Sequence, residues 1–135
     1  MRNSTLDLLN GFIGNWKTEG ALTDGTIIQG SDVYEWLDGN FFLLHHVNVR
    51  IGDLISKSIE IFHYDGLEDV FRAQSFDNEG NISISAMKIA HNKISIEADD
   101  LRFKGKFKDN EIVGVWEQYE NNCWKKWMDI SLSKL

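Results

Sequence analysis

The chain has 135 residues, of which 42% are hydrophobic and 26% charged, a composition ordinary for one globular domain. Its formal net charge is −7, so it should repel phosphate backbones, and we expect no nucleic-acid partner. The densest basic run, 102–108, alternates strictly with apolar residues, which favours a strand with one buried and one wet face over a surface that stacks single-stranded nucleic acid. The N-terminal apolar run is too short for a signal peptide or membrane span, and Cys123 is the single cysteine, so the sequence predicts a cytoplasmic protein without a membrane partner.

A short helix is predicted near the N-terminus. The hydroxyl of Ser4 and the carboxylate of Asp7, three residues later, resemble a capping box. Apolar residues at helical spacing follow, and Gly11 and Gly14 are typical helix terminators. These signals predict one helix over residues 5–12.

The remainder of the chain is predicted to be strands. Turn residues recur throughout it as Asp-Gly, Asn and Asp clusters, and the absence of proline leaves every backbone N–H free for a ladder. Every connection is too short for a parallel crossover, so we expect an all-β antiparallel meander in one domain, 1–135. We expect it to close into a barrel of about ten strands, with the helix at its base. An open two-sheet sandwich is the alternative. The predicted strands are 15–23, 26–37, 41–51, 54–64, 69–76, 81–90, 93–98, 101–108, 111–119 and 122–133.

Several segments resemble known families. Gly14-Asn15-Trp16 is similar to the Gly-x-Trp signature of the lipocalin and fatty-acid-binding superfamily. Over nearly its whole length, the chain resembles the bacterial DUF1579 family, which is lipocalin-like in fold and uncharacterised in function. The segments that carry this resemblance are 34–43, 59–65, 76–80, 102–107, Gly114-Val115-Trp116-Glu117 and 124–128.

A cofactor is not expected. Related ten-stranded barrels of the nitrobindin type hold haem through a histidine near the C-terminus, and the last predicted strand here, 122–133, contains none. The four histidines also show no spacing typical of a zinc or iron site.

A barrel of ten strands is wide enough for a lumen unless large side chains fill it. The aromatic residues therefore have two interpretations, as core or as the lining of a pocket. Alternation in strand 41–51 places His45 inward, either as a hydrogen-bonded core histidine or as a ligand contact. The lumen candidates are Trp36, His45, Glu60, Phe62, Tyr64, Arg72, Trp116 and Trp127.

Glu60, Tyr64 and Arg72 form the most suggestive polar group. With a hairpin loop of three or five residues, Glu60 and Arg72 would share a face, whereas a four-residue loop would put them on opposite faces. The inward face of strand 54–64 is ambiguous, because Ile59 and Ile61 compete with Phe62 and Tyr64 for the interior.

Three functions remain open. The first is a protein that binds a small, largely apolar ligand in the lumen without transforming it. The second is an enzyme that uses Glu60 as acid or base, with Arg72 or Tyr64 holding the substrate. The third is a filled barrel whose outer apolar face meets a partner, including a second copy in a homodimer. We also expect Trp16 to close the base of the lumen, near the strand that carries Trp124 and Trp127.

Overall fold

The computed structural model of the protein describes residues 1–135 and shows a closed barrel of ten antiparallel strands. Each strand pairs with its neighbours in sequence, and β1 pairs with β10 to close the ring. The chain has no helical segment with the length and apolar character that crossing a bilayer demands. The elements are the N-terminal helix Ser4–Phe12, β1 Gly14–Leu22, β2 Ile27–Trp36, β3 Leu43–Ile51, β4 Leu54–Asp65, β5 Val70–Asp77, β6 Ile82–Ala90, β7 Lys93–Glu97, β8 Leu101–Lys108, β9 Glu111–Glu120 and β10 Cys123–Lys134.

The ten strands confirm the sequence prediction, with bounds within about two residues of those expected. The agreement has a local cause: the connections contain residues that tolerate left-handed backbone, which tight hairpins require. Positive φ angles occur at Gly25, Gly39, Gly52, Gly80, Asn40, Asp69, His91, Asn92, Asp109, Asn121 and Asn122.

The N-terminal helix closes one end of the barrel, which we call the base. It is a 3-10 helix, and because such a helix has three residues per turn, Leu6, Leu9 and Phe12 lie on one side and are buried. The predicted cap at Ser4 is wrong by one residue. Asn3 is the N-cap, and its side chain accepts a hydrogen bond from the backbone N–H of Thr5.

Trp16 fastens this helix to the barrel. It is 1% exposed, and its indole Nε1 donates a hydrogen bond to the carbonyl oxygen of Phe12 at 2.7 Å. As expected, it lies at the base beside the closing strand, where it pairs with Lys134. That strand carries Trp124 and Trp127, as expected, but they lie in its first half, toward the opposite end of the barrel, which we call the mouth.

Two glycines face each other across β8 and β9 at a crowded position that we call the glycine corner. Gly105 of β8 pairs with Gly114 of β9, and the ring of Phe103 lies over both. A Cβ at Gly114 would lie 2.3 Å from Phe103 Cζ and 2.6 Å from the carbonyl oxygen of Lys104. This corner therefore requires glycine because of close packing, although neither residue has a positive φ.

Candidate functional site

A row of inward-facing side chains crosses five neighbouring strands, β2 to β6. The strand register places Tyr34 opposite His45, His45 opposite Glu60, Glu60 opposite Ser75, and Ser75 opposite Ser83. Inward-facing positions are otherwise dominated at the base by apolar core residues. This row is the most polar part of the interior and forms the candidate site.

His45 is the centre of the row. Its Nε2 lies 2.6 Å from Asp32 Oδ1, and its Nδ1 lies 2.9 Å from Glu60 Oε1. Its ring stacks on Tyr34 with 3.9 Å between ring centroids and 8° between ring planes. Because both ring nitrogens are engaged by carboxyl groups, His45 has no free nitrogen for coordinating a metal or for taking a proton from a substrate.

The hydrogen bonds extend from His45 toward the β1 strand. Thr18 donates its hydroxyl to Asp32 Oδ2, so both oxygens of Asp32 are used. Thr18, Asp32, His45 and Glu60 thus form one connected line across β1, β2, β3 and β4. No buried side-chain nitrogen or oxygen in the protein lacks a partner, as is usual for a native interior.

Glu60 is the member of the line that solvent reaches. Its side chain is 22% exposed, compared with 11% for His45 and 9% for Asp32. Only Oε1 is bonded to His45, and Oε2 forms no hydrogen bond within the chain. Since no buried polar atom is left unsatisfied, Oε2 is in contact with solvent and is a free acceptor at an inward-facing position of β4.

The two carboxyl groups keep His45 charged. Burial by itself lowers the pKa of His45, but the hydrogen bonds and charges of Asp32 and Glu60 outweigh it and raise the pKa from 6.5 to about 9. The formal charge of Asp32, His45 and Glu60 together is then −1 at neutral pH. Burial, followed by the charges of Asp32 and Glu60, also raises the pKa of Tyr34 well above its usual value, so its hydroxyl stays protonated.

The lumen above this row is open to water and has two kinds of wall. Many side chains that face inward near the mouth are only half-buried, so solvent enters the upper lumen. Strands β4 to β6 contribute hydroxyls there: Ser56, Ser58, Ser75, Ser83 and Ser85. The other strands contribute apolar groups: Val47, Val49, Ile51, Ile96 and Trp116.

Three predicted lumen residues belong to the base instead. Phe62 is 2% exposed and part of the core. Trp36 packs against that core and donates its indole N–H to Asn10 Oδ1 at 3.0 Å. Tyr64 also packs against the core and donates its hydroxyl to Asp69 Oδ1 at 2.6 Å. The lower lumen is therefore filled.

Arg72 does not lie in the lumen. Asp65 pairs with Val70, which leaves a four-residue loop, and Arg72 consequently lies opposite His63 on the outer face. Its Nε donates to Asp65 Oδ2 at 2.8 Å. The enzyme hypothesis thus loses both residues assigned to hold the substrate, because Tyr64 is engaged at the base and Arg72 is outside.

The two remaining tryptophan candidates differ in position. Trp116 faces inward and packs against the core cluster, with its ring centroid 5.2 Å from that of the core residue Phe103. Trp127 lies at a β-bulge in β10, between Lys126 and Met128, and is half-buried. The bulge interrupts the alternation of inward and outward side chains along β10 at this residue.

Sequence reasoning missed Asp32 and Thr18. The sequence did contain a signal for Asp32. It lies at one of the alternate positions of β2 that point inward, which Ile28, Tyr34 and Trp36 also occupy. A carboxylate among inward-facing apolar side chains needs a hydrogen-bond partner. Its partners could not be read from the sequence, since they lie 13 and 14 positions away across hairpins whose register is set by folding.

An apolar outer face is present, as the partner-binding hypothesis requires. It extends across β4, β5 and β6, where register pairs Ile59 with Phe76, and Phe76 with Ile82. These side chains and their neighbours Ile61 and Ile84 are between 38% and 65% exposed. The ambiguity of β4 is thereby resolved: Glu60, Phe62 and Tyr64 face inward, and its isoleucines face outward.

Comparison with known proteins identifies the architecture but no family. No protein-family model matches the chain, and no curated protein matches it. Among solved structures, the chain is similar to a de novo designed fluorescence-activating β-barrel, with a TM-score of 0.50 over 96% of this chain and 98% of that chain. The two share 9% identical residues, so the likeness shows the barrel fold alone.

Proposed function

We propose that the protein binds a small ligand in the upper lumen, with an apolar body and one hydrogen-bond donor, such as an amine or hydroxyl group. The observation that carries the proposal is the free Oε2 of Glu60, an acceptor held in place by the bond from His45 to Oε1. A donor on the ligand would complete a network in which every buried group is otherwise satisfied. On the sequence motifs given above, we also infer that the chain belongs with the DUF1579 family.

The two walls of the upper lumen define the rest of the ligand. The apolar wall would gain about 25 cal/mol per Å² of apolar surface removed from water. The serine wall supplies hydroxyls that both donate and accept, so it accommodates a polar edge of the ligand. A ligand of this kind is amphipathic along its length, with its donor beside Glu60.

The charge of the site favours a cation over an anion. Because Asp32, His45 and Glu60 together carry −1, a ligand carboxylate beside Glu60 would be repelled, whereas an ammonium group would be attracted. The designed barrel that the chain resembles is described as fluorescence-activating. A fluorescent probe is accordingly a practical first ligand.

The test uses two probes with the same fluorophore, a dansyl group carrying an alkylamine and a dansyl group carrying a carboxylate. We expect the amine to bind with enhanced fluorescence and the carboxylate to bind at least about tenfold more weakly. Glu60→Gln should reduce that preference, because it removes the charge and keeps the size of the side chain. Glu35→Gln, at an exposed position on the outer face of β2, is the matched control and should leave the preference unchanged.

Two results would contradict the proposal. One is failure of both probes to bind the wild-type protein, together with the absence of any small molecule in native mass spectra after gentle isolation. The other is binding that Glu60→Gln and Glu35→Gln affect equally, which would place the probe outside the lumen.

A further inference from the structure

The outer wall of the barrel has a concavity of about 890 Å³ that is separate from the lumen. It lies across β1, β2, β3 and β4, and its floor includes the backbone at Thr18, Gly20, Ile28 and Gly30, whose side-chain positions point inward. The outward-facing side chains that line it are Lys17, Glu19, Ile27, Gln29, Ser31, Asn48, Arg50, Ile55 and Lys57.

Two glycines fix the floor. A Cβ at Gly20 would lie 2.1 Å from the carbonyl oxygen of Asp129, and a Cβ at Gly30 would lie 2.2 Å from that of Asn48. The sheet is coiled too tightly there for any other residue. The concavity is thus a property of the barrel's shape.

Eight of these side chains, seven of them polar, form two parallel rows across the four strands. Neighbouring strands are about 4.8 Å apart, so each row presents a side chain at that interval, and the rows are separated by two residues along each strand. The first row is Lys17, Ser31, Asn48 and Lys57, and the second is Glu19, Gln29, Arg50 and Ile55.

The concavity is positively charged on an acidic protein. Lys17, Arg50 and Lys57 oppose only Glu19, which gives the lining a formal charge of +2 on a chain of −7. Lys17 is paired with Glu19 at 2.8 Å. Arg50 and Lys57 take part in none of the protein's ion pairs, although acidic residues outnumber basic ones by 21 to 14.

We propose that this concavity binds the oxyanion group of a small polyhydroxylated molecule. The planar guanidinium of Arg50 is suited to two parallel hydrogen bonds with a phosphate or carboxylate, and Lys57 adds a second positive charge. Ser31, Asn48 and Gln29 present the donors and acceptors that hydroxyl groups require. The shared ligand chemistry is the oxyanion; phosphate and carboxylate sources are distinguished by experiment.

The test measures binding by calorimetry and by amide chemical-shift changes, with glucose 6-phosphate, glucuronate, inorganic phosphate and glucose as probes. We expect at least one of the two sugar anions to bind more tightly than inorganic phosphate, and glucose to bind least. Preference for glucose 6-phosphate identifies a phosphate site, and preference for glucuronate a carboxylate site. The shifts should centre on Asn48, Arg50 and Lys57.

The variant Arg50→Gln with Lys57→Gln should weaken binding of the preferred anion at least about tenfold. The matched control is Lys93→Gln with Lys106→Gln, which removes two cations that face each other on β7 and β8, outside the concavity. It changes the net charge equally and should leave binding intact. Both variants replace exposed side chains, and a thermal melt verifies that they fold.

Equal weakening by the two double variants would overturn the proposal, because it would show attraction of anions to surface charge in general. The absence of binding by all the anions at millimolar concentration would also overturn it. Neither double variant alters a side chain that faces the lumen, so the result stands independently of the lumen proposal.

Discussion

At the scale of single residues, the decisive feature is an imidazolium held between two carboxyl groups. Arrays of buried charge are seldom more stable than an apolar core of equal volume, so the line is not explained by stability alone. It connects four consecutive strands through Thr18, Asp32, His45 and Glu60, and a slip of one residue would break it. We infer that it fixes the register of β1 to β4 while aiming Glu60.

The raised pKa of His45 predicts a specific pH dependence. Protonated His45 is favoured in the folded state, with a pKa of about 9 against 6.5 when unfolded. The stabilisation is therefore complete below pH 6.5 and is lost as the pH rises through 9. We expect the free energy of unfolding, measured by urea denaturation, to fall by about 3 kcal/mol across that window because of this group.

His45→Gln provides the control, because glutamine does not titrate. Its stability should lack the fall between pH 6.5 and 9, and its unfolding free energy at pH 6 should be lower than that of the wild type. A wild-type pH profile as flat as that of His45→Gln would show that His45 is neutral in the fold.

At the scale of elements, the bounds of the strands were predictable because turn chemistry is local. Which side chains point into the barrel and which point outward was not predictable for every strand. Strand β4 has apolar side chains on both faces, such as Ile61 outside and Phe62 inside, so alternation could not decide between them. The length of the loop before Val70 decides the face of Arg72, and the sequence allowed more than one length. The inward orientation of His45 was predicted correctly, because the residues two positions to either side of it in β3 are apolar and also point inward.

The glycine corner supports a prediction about β8 and β9. Gly114→Ala should lower the unfolding free energy by about 1–3 kcal/mol, because the new methyl group would overlap Phe103 and the backbone of β8. The control is Gly66→Ala, where a Cβ would meet Tyr64 Cε2 at an ordinary 3.6 Å. Urea denaturation of both variants measures the difference, and equal stabilities would show that the corner can relax.

At the scale of the whole molecule, the fold joins a filled base to an open mouth. The core cluster joins the helix to the lower lumen, and Leu9 within it is 0% exposed. Its neighbour Leu8 is 48% exposed and lies outside the cluster. The helix therefore acts as part of the core and not as an appendage.

These adjacent leucines give a matched pair. Leu9→Ala should lower the unfolding free energy by about 2–5 kcal/mol, because it leaves a cavity between helix and barrel. Leu8→Ala should change it by less than about 0.5 kcal/mol. Chemical denaturation measures both, and similar losses in the two variants would indicate that the helix does not plug the base.

Because Trp16, Leu9 and Phe12 close the base, the barrel is open at one end only. A ligand in the lumen would therefore enter and leave by the same opening, between the hairpins of the mouth. Glu60 lies below the mouth, so the ligand that we propose would enter with its donor first. Substitutions in the mouth hairpins would then change the residence time of the ligand. They would have less effect on which ligand is selected.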